Sequence, residues 1–244
     1  ALYLQVSGQA MTVTPGRVGE VVKPWLAREI AGMRMTRGVT LVFAERVADL
    51  IAVCLLALGA LWALDGATWA LVLGIAVVGG GAALAGSSWF HGLALRIVRR
   101  RERARKHEAS AEAIADTLRR ALHWRVLVWS VPASVVAWGL EGVGFALCLQ
   151  AFGFDVLGAL VGVSVYAVAT IAGAFSFLPG GIGLTEASMA GILVAAGMPA
   201  GAAAGATVVV RVATLWWGVA LGWIALASRP KLLRRVLAGG PVDH

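Results

Sequence analysis

The sequence predicts an all-α, polytopic integral membrane protein built as inverted repeats with two re-entrant half-helix hairpins. Three observations carry that prediction. Of its 244 residues, 59% are hydrophobic and 14% charged, with a mean hydropathy of +0.83; soluble domains carry about a quarter charged residues. Five apolar stretches approach the roughly 20 residues that a membrane helix needs: Val47–Leu64, Ala67–Phe90, Val126–Phe152, Val156–Leu178 and Pro199–Ala227. The third observation is a pair of Pro-Gly motifs, "PGRVGE" at Pro15–Glu20 and "PGGIGLTE" at Pro179–Glu186, each embedded in apolar sequence.

Taken in order, "ALYLQVSGQAMTV" reads as the end of a helix whose beginning lies upstream. After the first motif, Val18–Ala31 is an apolar-periodic run of 14 residues, about 21 Å as a helix. That is too short for a hydrocarbon core of about 30 Å. Gly183–Ala196 repeats this after the second motif. Both read as half-helices that return toward the side they entered from. Backbone freed at a Pro-Gly break cannot face lipid, because an unpaired polar group costs several kcal/mol there. The breaks are therefore expected to face protein or a wet cavity.

The echo extends downstream. "AGM" at Ala31–Met33 returns at Ala196–Met198, and "RVA" at Arg46–Ala48 returns at Arg211–Ala213. The offsets are 179 − 15 = 164, 197 − 32 = 165 and 211 − 46 = 165. Repeat units of about 1–64 and 156–227 follow. Between them the chain is expected to cross the membrane three times, over Thr36–Leu64, Ala67–Phe90 and Leu122–Phe152. An odd number of crossings inverts the second unit, the architecture of many transporters whose site lies at the repeat interface.

Charge distribution sets the expected topology. The net charge of +8 is concentrated in loops, which argues against a nucleic-acid surface. The loop 91–125 carries ten Lys or Arg, and the tail 228–244 adds Arg229, Lys231, Arg234 and Arg235. Short basic segments stay cytoplasmic, so loop, C-terminus and the Arg34–Arg37 segment are expected inside. Anionic headgroups are natural partners for such segments. Cys54 and Cys148 lie within predicted helices and read as small buried hydrophobes. The four histidines have no metal-ligand spacing, so no metal or cofactor is expected. No catalytic triad, P-loop or dinucleotide fingerprint is present, and the chain is not expected to be an enzyme.

The remaining candidates are charges at membrane depth. Arg46 and Arg211 fall near mid-membrane, where an arginine costs at least about 2.5–3.5 kcal/mol. Glu45 and Asp49 flank the first, Glu141 is a further intramembrane acid, and Arg17, Glu20 and Glu186 come from the half-helices. One reading is structural: Arg46 pairs with Glu20, and Arg211 with Glu186. The other is an anion site, in which arginines and half-helix N-termini hold a phosphate that displaces the carboxylates.

On "TPGRVGEVVKPWLAREIAG" and "LPGGIGLTEASMAGILVAAG…RVATLWWGVALG" the chain resembles the flippase-like transmembrane domain of lysylphosphatidylglycerol synthases. Pro15, Gly16, Arg17, Gly19 and Glu20 match the first signature of that family; Pro179, Gly180, Gly181, Gly183, Glu186 and Arg211 match the second. The resemblance runs from Pro15 to about Ala227, so 1–227 reads as one transmembrane domain with a basic tail after it. Only 17 residues follow Ala227, where full synthases carry a soluble domain, so aminoacylation is not expected. The resemblance implies a bacterial or archaeal cytoplasmic membrane protein that handles membrane lipids, either a phospholipid or a polyprenyl-phosphate carrier. Arg17, Glu20, Arg46, Glu141, Glu186 and Arg211 are its expected binding residues. A rival expectation is a non-transporting scaffold for a lipid-modifying enzyme or glycosyltransferase, and an ion or small-solute transporter is a third. A homo-oligomer is compatible with all three.

Overall fold

A computed structural model of the chain describes residues 2–13, 18–63, 119–120, 123–154, 158–176 and 178–237. Among these there are only helices and connections. In order they are α1 (Leu2–Gln9), α2 (Val18–Ala31), α3 (Met35–Ala63), α4 (Trp124–Ala151), α5 (Gly158–Phe175), a 3₁₀ turn (Pro179–Gly181), α6 (Leu184–Ala195), α7 (Ala200–Ala227) and α8 (Pro230–Leu237). A π-helical turn, Val212–Trp216, interrupts α7 directly after Arg211. The expected crossing Ala67–Phe90 and most of the basic loop 91–125 lie outside the described residues.

The helix ends follow from the sequence. Gly32, Gly153 and Gly197 have φ of 62°, 76° and 96°, a left-handed conformation that glycine adopts without steric cost. They terminate α2, α4 and α6. The His123 imidazole accepts the Arg125 N–H at 3.3 Å and caps the start of α4. α4 and α7 are long and apolar enough to cross a membrane, and α5 is a shorter apolar helix. α2 and α6, with 14 and 12 residues, are too short to cross at 1.5 Å per residue.

α3, α4 and α5 pack on one another as the centre of the bundle. Small residues allow the close approach, as at interfaces formed within lipid. A side chain at Gly142 would collide with Val163, and one at Gly162 with Ala146. Ser164 donates its hydroxyl across to the Leu56 carbonyl at 2.8 Å. Contacts advance together along α3 and α4, from Asp49–Ser134 to Leu56–Gly139, so these helices run parallel. α5 runs against both, with Leu160 beside Gly59 and Ser164 beside Leu56. α7 also opposes α4, because Phe152 meets Gly205 while Cys148 meets the Ala206 carbonyl. Outward, large apolar side chains stand exposed, among them Trp129, Leu140 and Ile224. That surface suits hydrocarbon rather than water.

Each short helix packs on the helix before it. α2 lies against α1, with Lys23 against Gly8, and α6 lies against α5, with Thr185 against Gly173. Val13, beyond the end of α1, stands against Gly180. α1 in turn packs on the far half of α7, with Ala10 against Gly222, and the Tyr3 hydroxyl donates to the Ala225 carbonyl at 3.0 Å.

The two ends of the bundle differ in charge. Arg28, Arg34, Arg37, Arg125, Arg229 and Arg234 lie at one end, at the close of α2 and α7, the starts of α3 and α4, and on α8. At the other end, the close of α4 and the α6–α7 turn, "AFGF" and "AAGMPA", carry no charge.

Candidate functional site

The polar residues expected at membrane depth fall into two ionic clusters and a carboxyl–phenol pair. In the second cluster, α7 presents Arg211 and the loop before α6 presents its partners. Arg211 Nε donates to Glu186 Oε1 at 2.5 Å, and Nη2 donates to the Gly180 carbonyl at 2.7 Å. The other oxygen of Glu186 accepts the Gly183 N–H. Glu186 is the third residue of α6, the position from which a glutamate reaches back to a free N–H of the first turn. One carboxylate thus joins a helix start to an arginine, and the arginine side chain is only 11% exposed.

The loop can make these bonds because of its glycines. Gly180, Gly181 and Gly183 have φ of 61°, 67° and 93°, which side-chain-bearing residues rarely adopt. A Cβ on Gly181 would also press into Gly173 and the Thr185 hydroxyl. The motif "PGGIG" is therefore a turn whose carbonyl and N–H groups point at the Arg211–Glu186 pair.

The first cluster is built differently. Lys23, on α2, donates to Glu45 Oε1 at 3.0 Å and Oε2 at 3.2 Å, and Gln5 Nε2, on α1, donates to Oε1 at 3.0 Å. Arg46 Nη2 lies 3.4 Å from Glu45 Oε1 and 3.2 Å from Asp49 Oδ2, both on its own helix. The Ser134 hydroxyl of α4 donates to Asp49 Oδ1 at 2.9 Å. Arg46 remains 46% exposed. Pro15, Gly16 and Arg17 lie outside the described residues, as does the side chain of Glu20, so the expected Arg46–Glu20 pair lies outside them too. Gly19 and Glu20 contribute backbone to the first turn of α2. Glu20, like Glu186, is the third residue of its short helix.

The Tyr166 hydroxyl of α5 donates to Glu141 Oε2 at 2.6 Å. The phenol is fixed by Phe145 and Trp138, whose rings lie 5.9 and 6.5 Å away. Glu141 is within electrostatic reach of both Asp49 and Arg211.

Of the expected site residues, the structure brings Arg211 and Glu186 into contact, pairs Glu141 with Tyr166, and places Arg46 in a separate cluster. Sequence reasoning did not single out Tyr166, Lys23–Glu45 or Ser134. The signal for Tyr166 was its residue type: it is one of two tyrosines in the chain and the only one inside a long apolar run.

Comparison with known proteins agrees with this arrangement of motifs. A profile of the lysylphosphatidylglycerol synthase TM region matches residues 1–222, which takes in both Pro-Gly motifs and both arginines. Two UPF0104 membrane proteins of Methanothermobacter thermautotrophicus are similar. One is 34% identical over 143 residues, 57% of this chain and 42% of the relative. The other is 35% identical over 91 residues, 37% of this chain and 27% of the relative. The matches thus span less than half the length of either relative. No solved structure matches the chain. With its Pro-Gly motifs, its short helices and its two arginines all inside the matched region, the chain belongs to the lysylphosphatidylglycerol synthase transmembrane-region family.

Proposed function

We propose that the protein is a lipid flippase-like membrane transporter that handles a phosphate-bearing lipid, a phospholipid or a polyprenyl-phosphate carrier, through the polar path between its two hairpins. The observation that carries this reading is Arg46. It stands 11 residues beyond the start of α3 (46 − 35), about 16 Å along the helix, near half the depth of a hydrocarbon core. An arginine nearly half open at that depth is expensive without an anion. A lipid phosphate, accepting two guanidinium N–H bonds, is the anion such a position meets. Glu45 and Asp49 neutralise Arg46 until the phosphate displaces them.

The reading includes an inverted repeat. Its support is the order helix, Pro-Gly break, short helix, long helix on both sides of α4, with α3 and α7 running in opposite directions. Arg46 and Arg211 also stand at the same place in their helices, since 211 − 200 equals 46 − 35. The basic end is the cytoplasmic one by the positive-inside rule. The hairpins then enter from opposite faces, and their tips meet where Val13 touches Gly180.

The test is reconstitution. Purified protein in liposomes should expose fluorescent-headgroup phospholipid of the inner leaflet to an outside quencher faster than protein-free liposomes do. Folded protein that leaves the inner-leaflet half protected, for labelled phospholipid and labelled polyprenyl phosphate alike, would overturn the transport reading and favour the non-transporting scaffold.

A further inference from the structure

The structure assigns a second lipid-facing feature, separate from the intramembrane path. We infer that the corner formed by the end of α2, the start of α3 and α8 is a binding surface for anionic phospholipid headgroups. The corner is held together from inside. Trp25 and Leu26 of α2, Leu226 of α7 and Leu232 of α8 are buried in one apolar cluster, and Ile30 and Met35 pack against it. This cluster joins segments about 200 residues apart in sequence and gathers their arginines on one rim. Arg28, Arg34, Arg37 and Arg234 are all exposed there. Arg229 lies over the Tyr3 ring at 4.4 Å.

Two features of the rim point to an anion outside the protein. The first turn of α3 has no acidic residue, and Arg34 and Arg37 stand there instead, Arg37 donating its N–H to the Arg34 carbonyl at 2.9 Å. A helix start favours anions and disfavours cations, so Arg34 and Arg37 oppose the helix they begin. Glu29 at the close of α2 is the one acid among the described residues of this corner, against five arginines, and an outside anion would offset the excess. α8 is divided along its length: Leu232 is buried and Leu233 half-buried against the body, while Arg234 faces outward and no acid stands in its first turn. An amphipathic helix with a basic outer face, following directly on a membrane-length helix, lies where headgroups lie. The opposite end of the bundle carries no such charge among the described residues, which places the surface on one leaflet.

The inference needs the protein to sit in a membrane but does not need it to transport. Its test is headgroup selectivity of the full chain in mixed micelles, read by native mass spectrometry as bound lipid. With phosphatidylglycerol and phosphatidylcholine at equal concentration, phosphatidylglycerol should be retained preferentially, and raising the salt to 0.5 M should weaken that preference. The fourfold variant R28Q/R34Q/R37Q/R234Q should lose it, at roughly fivefold in affinity for each charge removed. The corresponding Arg→Lys variant should keep it, which separates lost charge from lost fold. Equal retention of both lipids by the native chain, or unchanged selectivity in the fourfold Gln variant, would overturn the inference. Flipping of a zwitterionic lipid by the fourfold variant should stay at the native rate, so failure here and failure of transport are told apart.

Discussion

The two arginines that occupy matching places in their helices have different surroundings among the described residues. Arg211 is enclosed: Glu186 from the short helix and the Gly180 carbonyl accept two of its N–H bonds, and little of the side chain remains open. Among the described residues, Arg46 pairs with Glu45 and Asp49 on its own helix, and it is nearly half exposed. An interhelical ion pair described in the first unit is Lys23 with Glu45. Its polarity is reversed, with the base on the short helix and the acid on the long one. Among the described residues, the second unit thus ties its arginine to the short helix, whereas the first ties its short helix to the long one through Lys23; on the proposed reading this leaves Arg46 available.

The largest effect that could break this comparison is at Glu186. Glu186→Ala leaves Arg211 unpaired and removes the acceptor of the Gly183 N–H, and is expected to cost about 3–5 kcal/mol, read by equilibrium unfolding in mixed micelles. Native-like stability would mean that Arg211 is not held as described. Lys23→Met removes the equivalent link in the first unit. With Gln5 and Arg46 still donating to Glu45, it should cost less, about 1–3 kcal/mol. A cost equal to that of Glu186→Ala would erase the asymmetry.

Smaller effects sharpen the account of the carboxyl–phenol pair and of Arg46. Tyr166→Phe removes one hydrogen bond to Glu141 while keeping the ring against Phe145 and Trp138. It is expected to cost about 1–3 kcal/mol and to slow lipid movement if Glu141 lies on the path. Lipid movement at the native rate would take Glu141 off that path. Smallest in stability is Arg46→Gln, at below about 1 kcal/mol, because its described ion pairs lie within its own helix and tie no two elements together. A larger loss would make Arg46 structural, like its counterpart.

Much of this was legible from the residues. Composition and apolar runs gave the helical membrane class, and α3, α4, α5 and α7 fall on four of the five expected stretches. The short helices were readable from Pro-Gly at one end and glycine at the other, and α2 spans Val18–Ala31 as expected. The Arg211–Glu186 pair was legible because two local signals, the twin motif and the downstream arginine, converge on it. What stayed hidden depends on contacts made only once the helices pack. Lys23 could be set on a half-helix, but nothing local shows that it meets Glu45, 22 residues on, with Gln5 on the far side. Tyr166 and Glu141 lie on different helices, and an apolar run says nothing about which of its faces meets a carboxyl. The division of roles between two equivalent arginines is likewise a property of the packed state, invisible in motifs that match.

The central claim is that Arg46, not Arg211, is the residue open to a lipid phosphate. The direct measurement is the rate of phospholipid translocation in proteoliposomes for native protein and Arg46→Gln, at matched protein content, with unfolding followed on the same preparations. The account predicts that Arg46→Gln remains folded with near-native stability and loses translocation. Native-rate translocation by folded Arg46→Gln protein would contradict it.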